Sequence, residues 1–454
     1  MLMTDTKKRE MILTGSIFKS IASLSIPLML GNLIQTLYSL ADAYWVGNKI
    51  GYQAFAAIGY VWPITFIFLA FSIGLSVAST SLLAQSVGKE EYTKANRIIG
   101  QFFLISVVLG VFFAIVGYLL TPYIITLMGA KGELYTMSVD YLQIVFFELP
   151  FIFTFHVYKS MRESQGDTFS PMLLLVISVI VNVILDPIFI VQFGLGVKGA
   201  ALATVLSRIV IAGYLFLKMF DQKSKIHVSF KYLKIDVPVL KNLLSIALPS
   251  TIGQTISALG FIVMNAFIIS FGDETVAAFG LGNRITSLFM MPAFGIGGAL
   301  STFIGQNIGA KQFTRAKDSV KIAVTSSFSL LVAGSIIIYF IKEPIILFFI
   351  KDSKEVFDLS VTYMNILCLV FPLMAIFQGF LGVFSGSGHT KYILYLTLSR
   401  LWLLRIPMIY LLGKHTNLGS DGIWYSMLVS NLIVCVAGYM IIVKGKWLIG
   451  TLRI

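Results

Sequence analysis

The chain has 454 residues, of which 57% are hydrophobic and only 12% are charged, and its formal net charge is +13. Soluble globular domains carry about 25% charged residues, so this chain has too few charges to cover a water-facing surface. We therefore exclude a soluble globular protein and expect most of the surface to face lipid.

Taken in chain order, twelve apolar runs are each long enough to cross the hydrocarbon core of a bilayer, which needs about 20 residues. Because backbone groups in lipid must be paired within their own segment, each run predicts a transmembrane helix. The fold class is therefore an all-α membrane protein. The approximate limits of the runs are 24–46, 55–79, 98–120, 137–158, 171–193, 199–220, 243–270, 276–304, 322–341, 359–384, 392–412 and 422–443.

The basic residues are distributed unevenly between the two sides of this arrangement. The side that holds both termini carries most of the Lys and Arg residues, whereas the acidic residues are divided evenly. This positive-inside pattern predicts a multi-pass protein of the cell membrane with both termini in the cytoplasm, and it argues against nucleic-acid binding. Cys368 and Cys435 both fall inside spans, which indicates neither a disulfide framework nor a metal site.

An internal repeat relates the two halves of the chain. Identical residues recur 222 residues apart: Pro27 with Pro249, Tyr141 with Tyr363, Pro150 with Pro372, and Gly166 with Gly388. Because this offset spans six helices, we predict two parallel six-helix repeats, an N-lobe and a C-lobe, around a central cavity. The pattern favours a transporter, and the alternative is a duplicated structural bundle.

The repeat also predicts the domain limits. A cytoplasmic N-terminal segment at 1–23 precedes the N-lobe at 24–220, and a basic cytoplasmic linker at 221–242 leads to the C-lobe at 243–443. A cytoplasmic tail follows at 444–454.

Three acidic residues fall well inside the predicted spans: Asp42, Glu148 and Asp186. An aspartate at the centre of a membrane helix costs about 2.5–3.5 kcal/mol on insertion scales, so its presence indicates a cavity, a partner or an ion. Asp42, Asp186 and Thr204 come from three spans and lie about 6–10 Å below the same membrane boundary, at 1.5 Å per residue. Asn182 precedes Asp186 by four residues, so both project from one helix face.

The predicted site is rich in oxygen atoms. Pro187 cannot donate a hydrogen bond to the carbonyl of Val183, which leaves that carbonyl free beside the site. Hard cations prefer oxygen ligands, so Na⁺ is one expected occupant, bound by Asp186, Asn182 and Thr204. The other expected occupant is a proton carried by the aspartate pair. The coupling ion is therefore H⁺ or Na⁺, and no other metal is expected.

A polar stripe on the first span extends this site, because Tyr38 and Gln35 precede Asp42 by four and seven residues. Both are candidates for the substrate cavity or for a network around the aspartates.

Structural ion pairs are the alternative explanation for the acidic residues. Asp42 and Asp186 would then pair with Arg208 and Arg284. Glu148 would either face a cavity or pair with a membrane arginine.

Two further arginines and one histidine lie in spans. Arg400 and Arg405 could line a path for an anionic group, but we expect them to reach the interface or to neutralise an acid. We expect His156 to be a packed polar residue.

Motifs along the whole chain are weak singly but specific in their order: Pro27 early in the first span, Ala41-Asp42 near its end, Gly88 and Gln306-x-x-Gly309 in inner loops, Arg162-x-x-Gln165-Gly166-Asp167-Thr168 after the fourth span, and Gly199-Ala200-Ala201-x-Ala203-Thr204 in the sixth. In this order they resemble the multidrug and toxic compound extrusion (MATE) family. The resemblance implies export of amphipathic, often cationic compounds against an inward H⁺ or Na⁺ gradient.

The aspartate pair with Asn182 and Thr204 is similar to the DinF-like and archaeal branch of that family, in which the N-terminal half binds the cation. This likeness adds Tyr38 and Tyr141 to the expected network. Other branches place an acid in the seventh span, whereas the matching stretch 254–258 has none here. Glu148 also departs from the family pattern.

Two other functions stay open at this point. A flippase for lipid-linked oligosaccharides or polysaccharides belongs to the same superfamily, and the membrane arginines are compatible with it. An intramembrane enzyme would need a histidine cluster or a nucleophile beside a base, and the spans carry neither. We therefore expect a monomeric transporter of small organic molecules in the bilayer, with no enzymatic activity, no cofactor, and Pro27 and Pro187 as hinges.

Overall fold

The computed structural model describes residues 5–350 and 353–452, and it folds them almost entirely into helices. The α-helices in chain order are α1 (Asp5–Leu13), α2 (Ile17–Lys49), α3 (Tyr52–Gly88), α4 (Tyr92–Leu127), α5 (Gly132–Val145), α6 (Leu149–Glu163), α7 (Phe169–Pro187), α8 (Gly196–Met219), α9 (Val237–Ile269), α10 (Asp273–Phe289), α11 (Met291–Gly309), α12 (Phe313–Phe349), α13 (Lys354–Ser387), α14 (Thr390–Leu398), α15 (Ile406–Lys414) and α16 (Asp421–Val443). Residues 1–4 and 453–454 of the predicted terminal segments lie outside the described residues.

The predicted number of spans is confirmed when the bent pair α10 and α11 is counted as one span. Within the described residues, eleven helical runs are long and apolar enough to cross a membrane, and α10 with α11, bent by 44° at their break, is the twelfth under that count. The helices extend past the predicted limits, as in α2 against the predicted 24–46, because helical hydrogen bonding continues into the polar zone. Large apolar side chains stay exposed along the spans, such as Leu217 at 73%, which suits a surface in contact with lipid.

Several predicted spans are interrupted where the sequence places proline. The prediction of one continuous helix over 276–304 is wrong, because α10 ends at Phe289 and a separate helix, α11, begins at Met291 with Pro292 in its first turn. A 3₁₀ segment, Phe146–Glu148, separates α5 from α6 just before Pro150. The α-helical turns of α7 end at Pro187, and a π-helical segment, Ile188–Gln192, follows. A second π-helical segment, Ser399–Arg405, joins α14 to α15.

The described chain divides into two compact units. Unit 1 contains residues 5–9, 30–251 and 452, and unit 2 contains residues 10–29 and 252–451. The first turns of α2 therefore belong to unit 2, and the first turns of α9 belong to unit 1. The lobe limits of 24–220 and 243–443 stay a prediction.

Small residues allow close helix packing in unit 2. A Cβ atom built on Gly382 of α13 would lie 2.3 Å from the backbone oxygen of Gly297 in α11. No side chain fits in that space, so the two backbones approach through glycine alone. In the same unit, the phenyl rings of Phe289 and Phe371 pack with centroids 4.5 Å apart.

The loop between α6 and α7 is held by one buried carboxylate. Asp167 forms ion pairs with Arg162 and with Lys8, whose Nζ lies 3.1 Å from Oδ2, and it accepts hydrogen bonds from the backbone and hydroxyl of Ser170. Burial alone would raise the pKa of Asp167, but the charge of Arg162, the Ser170 hydrogen bonds and Lys8 outweigh it and lower the pKa to about 2. The carboxylate is therefore ionised at every physiological pH.

Candidate functional site

Helices α7 and α8 supply the centre of the candidate site in unit 1. Asn182 and Asp186 project from one face of α7, four residues apart, and both are fully buried. With its amide nitrogen toward Asp186, Asn182 donates to Oδ2 over 3.2 Å, and its oxygen accepts from the backbone N–H of Thr204 over 3.2 Å. We assign this orientation because the opposite one would place the oxygen against acceptors and the nitrogen against donors.

Helix α2 brings Tyr38 and Asp42 to the same site. The hydroxyl groups of Tyr38 and Thr204 lie 3.1 Å apart, and Thr204 donates its own proton to the carbonyl of Ala200 over 3.2 Å. Tyr38 is therefore the donor to Thr204. Asp42 is half-buried and lies close enough to Asp186 for the two carboxyl groups to interact electrostatically.

The two carboxyl groups each keep one oxygen without a protein partner. Asp42 Oδ1 and Asp186 Oδ1 are both buried and accept no hydrogen bond from the described residues. A buried carboxylate oxygen left in this way costs free energy unless a proton or a cation satisfies it. Carboxylate and hydroxyl oxygens fit a proton or a hard cation such as Na⁺, and the Asn182 amide would add its oxygen as a ligand only after turning that oxygen toward Asp186.

The other two network candidates differ in their surroundings. Tyr141 on α5 is half-buried and lies within electrostatic range of both aspartates and of Tyr38. Gln35 is half-buried on α2, and its side chain makes no hydrogen bond to the part of the chain that the structure describes. Thus Tyr141 belongs to the surroundings of the aspartates, and no contact ties Gln35 to them.

A second polar cluster adjoins the site. Arg208 Nε lies 3.0 Å from Glu148 Oε1, and Arg208 Nη1 donates to the hydroxyl of Ser178 over 3.4 Å. Ser178 donates to the carbonyl of Ser207, whose own hydroxyl donates to the carbonyl of Thr204 over 2.7 Å. The ion pair is thus linked through serine hydroxyls to the helix turn that holds the threonine of the site.

This arrangement bears on the alternative explanation, in which the membrane aspartates form structural ion pairs. Arg208 pairs with Glu148 and with neither aspartate, and no ion pair of Arg284 occurs within residues 5–350 and 353–452. The structural ion pairs of that alternative are therefore absent for Asp42 and Asp186 among the described residues, whereas the pairing of Glu148 with a membrane arginine is present.

Sequence reasoning missed the two serines. Ser178 precedes Asn182 by four residues, so Ser178, Asn182 and Asp186 form one polar stripe on α7 that the spacing alone could have indicated. Ser207 carries no such signal, because its hydroxyl bonds only to a carbonyl of its own helix.

No hydrogen bond or ion pair joins His156, Arg400 or Arg405 to this cluster among the described residues. His156 is half-buried beside the phenyl ring of Phe155, and its buried Nδ1 is unpartnered among the described residues. Arg400 and Arg405 belong to unit 2, and neither forms an ion pair with the described residues. The expectation that they neutralise an acid is therefore wrong for residues 5–350 and 353–452. In that part of the chain no cluster of three His, Cys, Asp or Glu residues could hold a metal ion.

Comparison with known proteins identifies the family. The MatE family model matches the chain twice, over residues 27–188 and 249–411. The chain belongs to the MatE family. Each half of this MATE protein matches the same model, which confirms the two six-helix repeats predicted from the 222-residue offset. MATE proteins are transporters and not enzymes, so the chain is a multi-pass membrane transporter.

Individual relatives cover nearly the whole MATE chain. The probable multidrug resistance protein YoeA of Bacillus subtilis (strain 168) is 28% identical over 418 residues, which is 90% of each chain. A crystal structure of MATE in the bent conformation matches with a TM-score of 0.90 at 26% identity, covering 97% of each chain. An outward-facing multidrug resistance MATE transporter of the MOP superfamily matches with a TM-score of 0.87 at 27% identity, covering 94% of this chain and 96% of that one.

Proposed function

We propose that the chain exports amphipathic, often cationic organic compounds in exchange for H⁺ or Na⁺, and that Asp42, Asp186, Asn182 and Thr204 bind the coupling ion. The observation that carries this proposal is the pair of buried carboxylate oxygens without protein partners, Asp42 Oδ1 and Asp186 Oδ1. MATE antiporters couple export to H⁺ or Na⁺, and the relatives named above include multidrug resistance proteins.

The coupling ion acts by neutralising this site. A proton taken up by one aspartate, or Na⁺ held by Asp186, Asn182 and Thr204, removes the repulsion between the two carboxylates. Tyr38 then keeps its hydrogen bond to Thr204, and α2 moves closer to α7 and α8. Release of the ion restores the repulsion and loosens α2 from those helices, so the ion selects between two arrangements of the N-terminal half.

The wider organisation follows from the same proposal. Two lobes, 24–220 and 243–443, alternate access to a central cavity, with Pro27 and Pro187 as hinges. The uneven distribution of Lys and Arg between the two sides of the membrane supports a cytoplasmic location for both termini. The ligand set in the N-terminal half, with no acid in the seventh span, supports membership of the DinF-like or archaeal branch. We propose that one monomer is the transporting unit.

The test is dye efflux from proteoliposomes containing the full chain, under an imposed pH gradient or an imposed Na⁺ gradient. We expect Asp42→Asn and Asp186→Asn to abolish gradient-driven efflux, since each removes a charge that the ion must neutralise. The matched control is Asp318→Asn, an exposed aspartate on α12, which should transport as the wild type does.

The two gradients distinguish the ions. Efflux driven by Na⁺ at equal pH would assign Na⁺, and efflux driven only by the pH gradient would assign H⁺. Gradient-driven efflux at the wild-type rate in both aspartate variants would end the proposed coupling role, provided that both elute as folded monodisperse protein.

A further inference from the structure

The acids in the spans are confined to the N-terminal half of the chain. Its predicted spans carry Asp42, Asp140, Glu148 and Asp186, whereas those of the C-terminal half contain no Asp or Glu. The C-terminal spans instead carry Arg400 and Arg405 in the π-helical segment Ser399–Arg405. Segments of this kind are rare and often mark functional sites.

Arg405 is a buried cation without a counter-charge. It is 6% exposed, and its Nε donates to the hydroxyl of Ser430 over 3.1 Å. A serine hydroxyl is neutral, and the described residues offer Arg405 no carboxylate. A buried charge that lacks its partner strongly destabilises the fold.

Arg400 adds a second uncompensated charge. Its guanidinium lies 4.4 Å from the ring centroid of Phe377, and its buried Nε has no acceptor among the described residues. The two arginines are near enough to repel each other. An aromatic face stabilises a guanidinium by less than burial of the unpaired charge costs, and an anion beside the pair would offset the difference.

In the N-terminal half, by contrast, a buried arginine is neutralised by an acid. There Arg208 lies 3.0 Å from Glu148. The repeat places Val370 where the first half has Glu148, because the flanking Tyr141 and Pro150 both recur 222 residues later. The C-terminal half therefore has a buried arginine, Arg405, but has no acid at the position that neutralises Arg208 in the N-terminal half.

The surroundings of Arg405 fit an amphipathic ligand. Tyr363 lies within electrostatic range of Arg405, and its ring stacks on that of Trp424 with centroids 4.0 Å apart. The indole N–H of Trp424 is buried and has no acceptor among the described residues. A cation beside an unsatisfied donor suits the anionic group of an organic ligand, and the buried rings make that environment apolar.

We propose that Arg405, assisted by Arg400, binds the carboxylate or phosphate group of an amphipathic organic anion, with the indole N–H of Trp424 as a further donor. Only one part of this proposal rests on the proposed export function, namely that the bound anion is a compound that the protein transports. It extends the expected substrates from cations to anions and zwitterions. A guanidinium suits this role because its fork of N–H donors matches the two oxygens of a carboxylate or phosphate.

The test is equilibrium binding to the purified full chain in detergent, measured by fluorescence anisotropy without any ion gradient. The anionic probe is 5-carboxyfluorescein and the cationic probe is rhodamine 6G. We expect Arg405→Met to weaken binding of the anionic probe by about 10-fold or more, since it removes a charged hydrogen bond, and to leave the cationic probe unchanged. Arg405→Lys should retain part of the anion affinity.

Arg284→Met is the matched control, because this exposed arginine lies in a span of the same unit. Thermal unfolding gives a second measurement: carboxyfluorescein should raise the melting temperature of the wild type but not of Arg405→Met. The idea is overturned if the wild type does not bind the anionic probe, or if Arg405→Met binds it as tightly as Arg284→Met does.

Competition identifies the source of the anionic group. Displacement of carboxyfluorescein by phosphatidylglycerol, but not by phosphatidylcholine, would assign a lipid headgroup. Retention of the probe against both lipids would assign a soluble organic anion. Because no gradient is imposed, loss of coupling in the aspartate variants would leave this result unaffected.

Discussion

Replacing Arg208 by methionine is the sharpest test of the polar cluster beside the ion site. The substitution removes the guanidinium that lies 3.0 Å from Glu148 and keeps a side chain of similar length. Glu148 is 8% exposed, so its carboxylate would be left buried without a counter-charge.

The expected loss of stability follows from that burial. Removing one partner of a buried ion pair costs about 3–5 kcal/mol, whereas replacing both partners is often neutral. For a unit of about 150–250 residues, 1 kcal/mol shifts the melting temperature by roughly 2–4 °C. Arg208→Met should therefore lower the melting temperature by about 6 °C or more, and adding Glu148→Gln should restore most of it.

The assay is the apparent melting temperature of detergent-purified protein, measured at one scan rate because membrane proteins unfold irreversibly. The series comprises the wild type, both single variants, the double variant and Arg284→Met. Arg284 is exposed and forms no ion pair with the described residues, so its replacement should change little.

The reasoning is refuted if the double variant melts no higher than Arg208→Met alone. That outcome would mean that the arginine stabilises the fold through packing or through Ser178, and that the charge of Glu148 needs no partner.

Three other substitutions have defined outcomes. Gly382→Ala should abolish folded, monodisperse protein, because the new methyl group would lie 2.3 Å from a backbone oxygen of α11, whereas Gly213→Ala, with open space around it, should be tolerated. Asp167→Asn should lower the free energy of unfolding by about 2 kcal/mol near neutral pH. Because the pKa of Asp167 falls from 3.8 to about 2 on folding, its stabilisation is present above about pH 4 and is lost as the pH falls through about 2, so the melting temperature of the variant should depend less on pH over that range. Tyr38→Phe removes the 3.1 Å hydrogen bond to the threonine of the site and should raise the ion concentration that gives half-maximal efflux about 5-fold, with unchanged monodispersity; an unaltered ion dependence would show that the bond does not contribute.

The features predicted well from the sequence are those that depend on short stretches of chain. The number of spans equals the number of apolar runs that are long enough to cross the bilayer. The stripe of Asn182 and Asp186 follows from helical spacing, and the two repeats follow from one constant offset. None of these depends on how one helix is rotated against another.

The features that were not predicted depend on contacts between helices. Whether Arg208 reaches Glu148 or an aspartate is set by the rotation of α6 and α8, and the sequence carries no signal for that rotation. The close approach of Gly382 to α11 is likewise a property of two packed backbones. The break at Met290 had a local signal in Pro292, but a proline in the first turn of a helix and one inside a helix look alike in sequence.

The π-helical segment Ser399–Arg405 has a consequence for how this helix tolerates insertions and deletions. A π turn closes its hydrogen bonds between residues five apart, so it holds one residue more than an α turn. Removing one residue inside this segment would convert it to ordinary α-helix and leave Tyr410 and the rest of α15 in their present orientation. The same deletion elsewhere in α14 or α15 would rotate everything beyond it by about 100°.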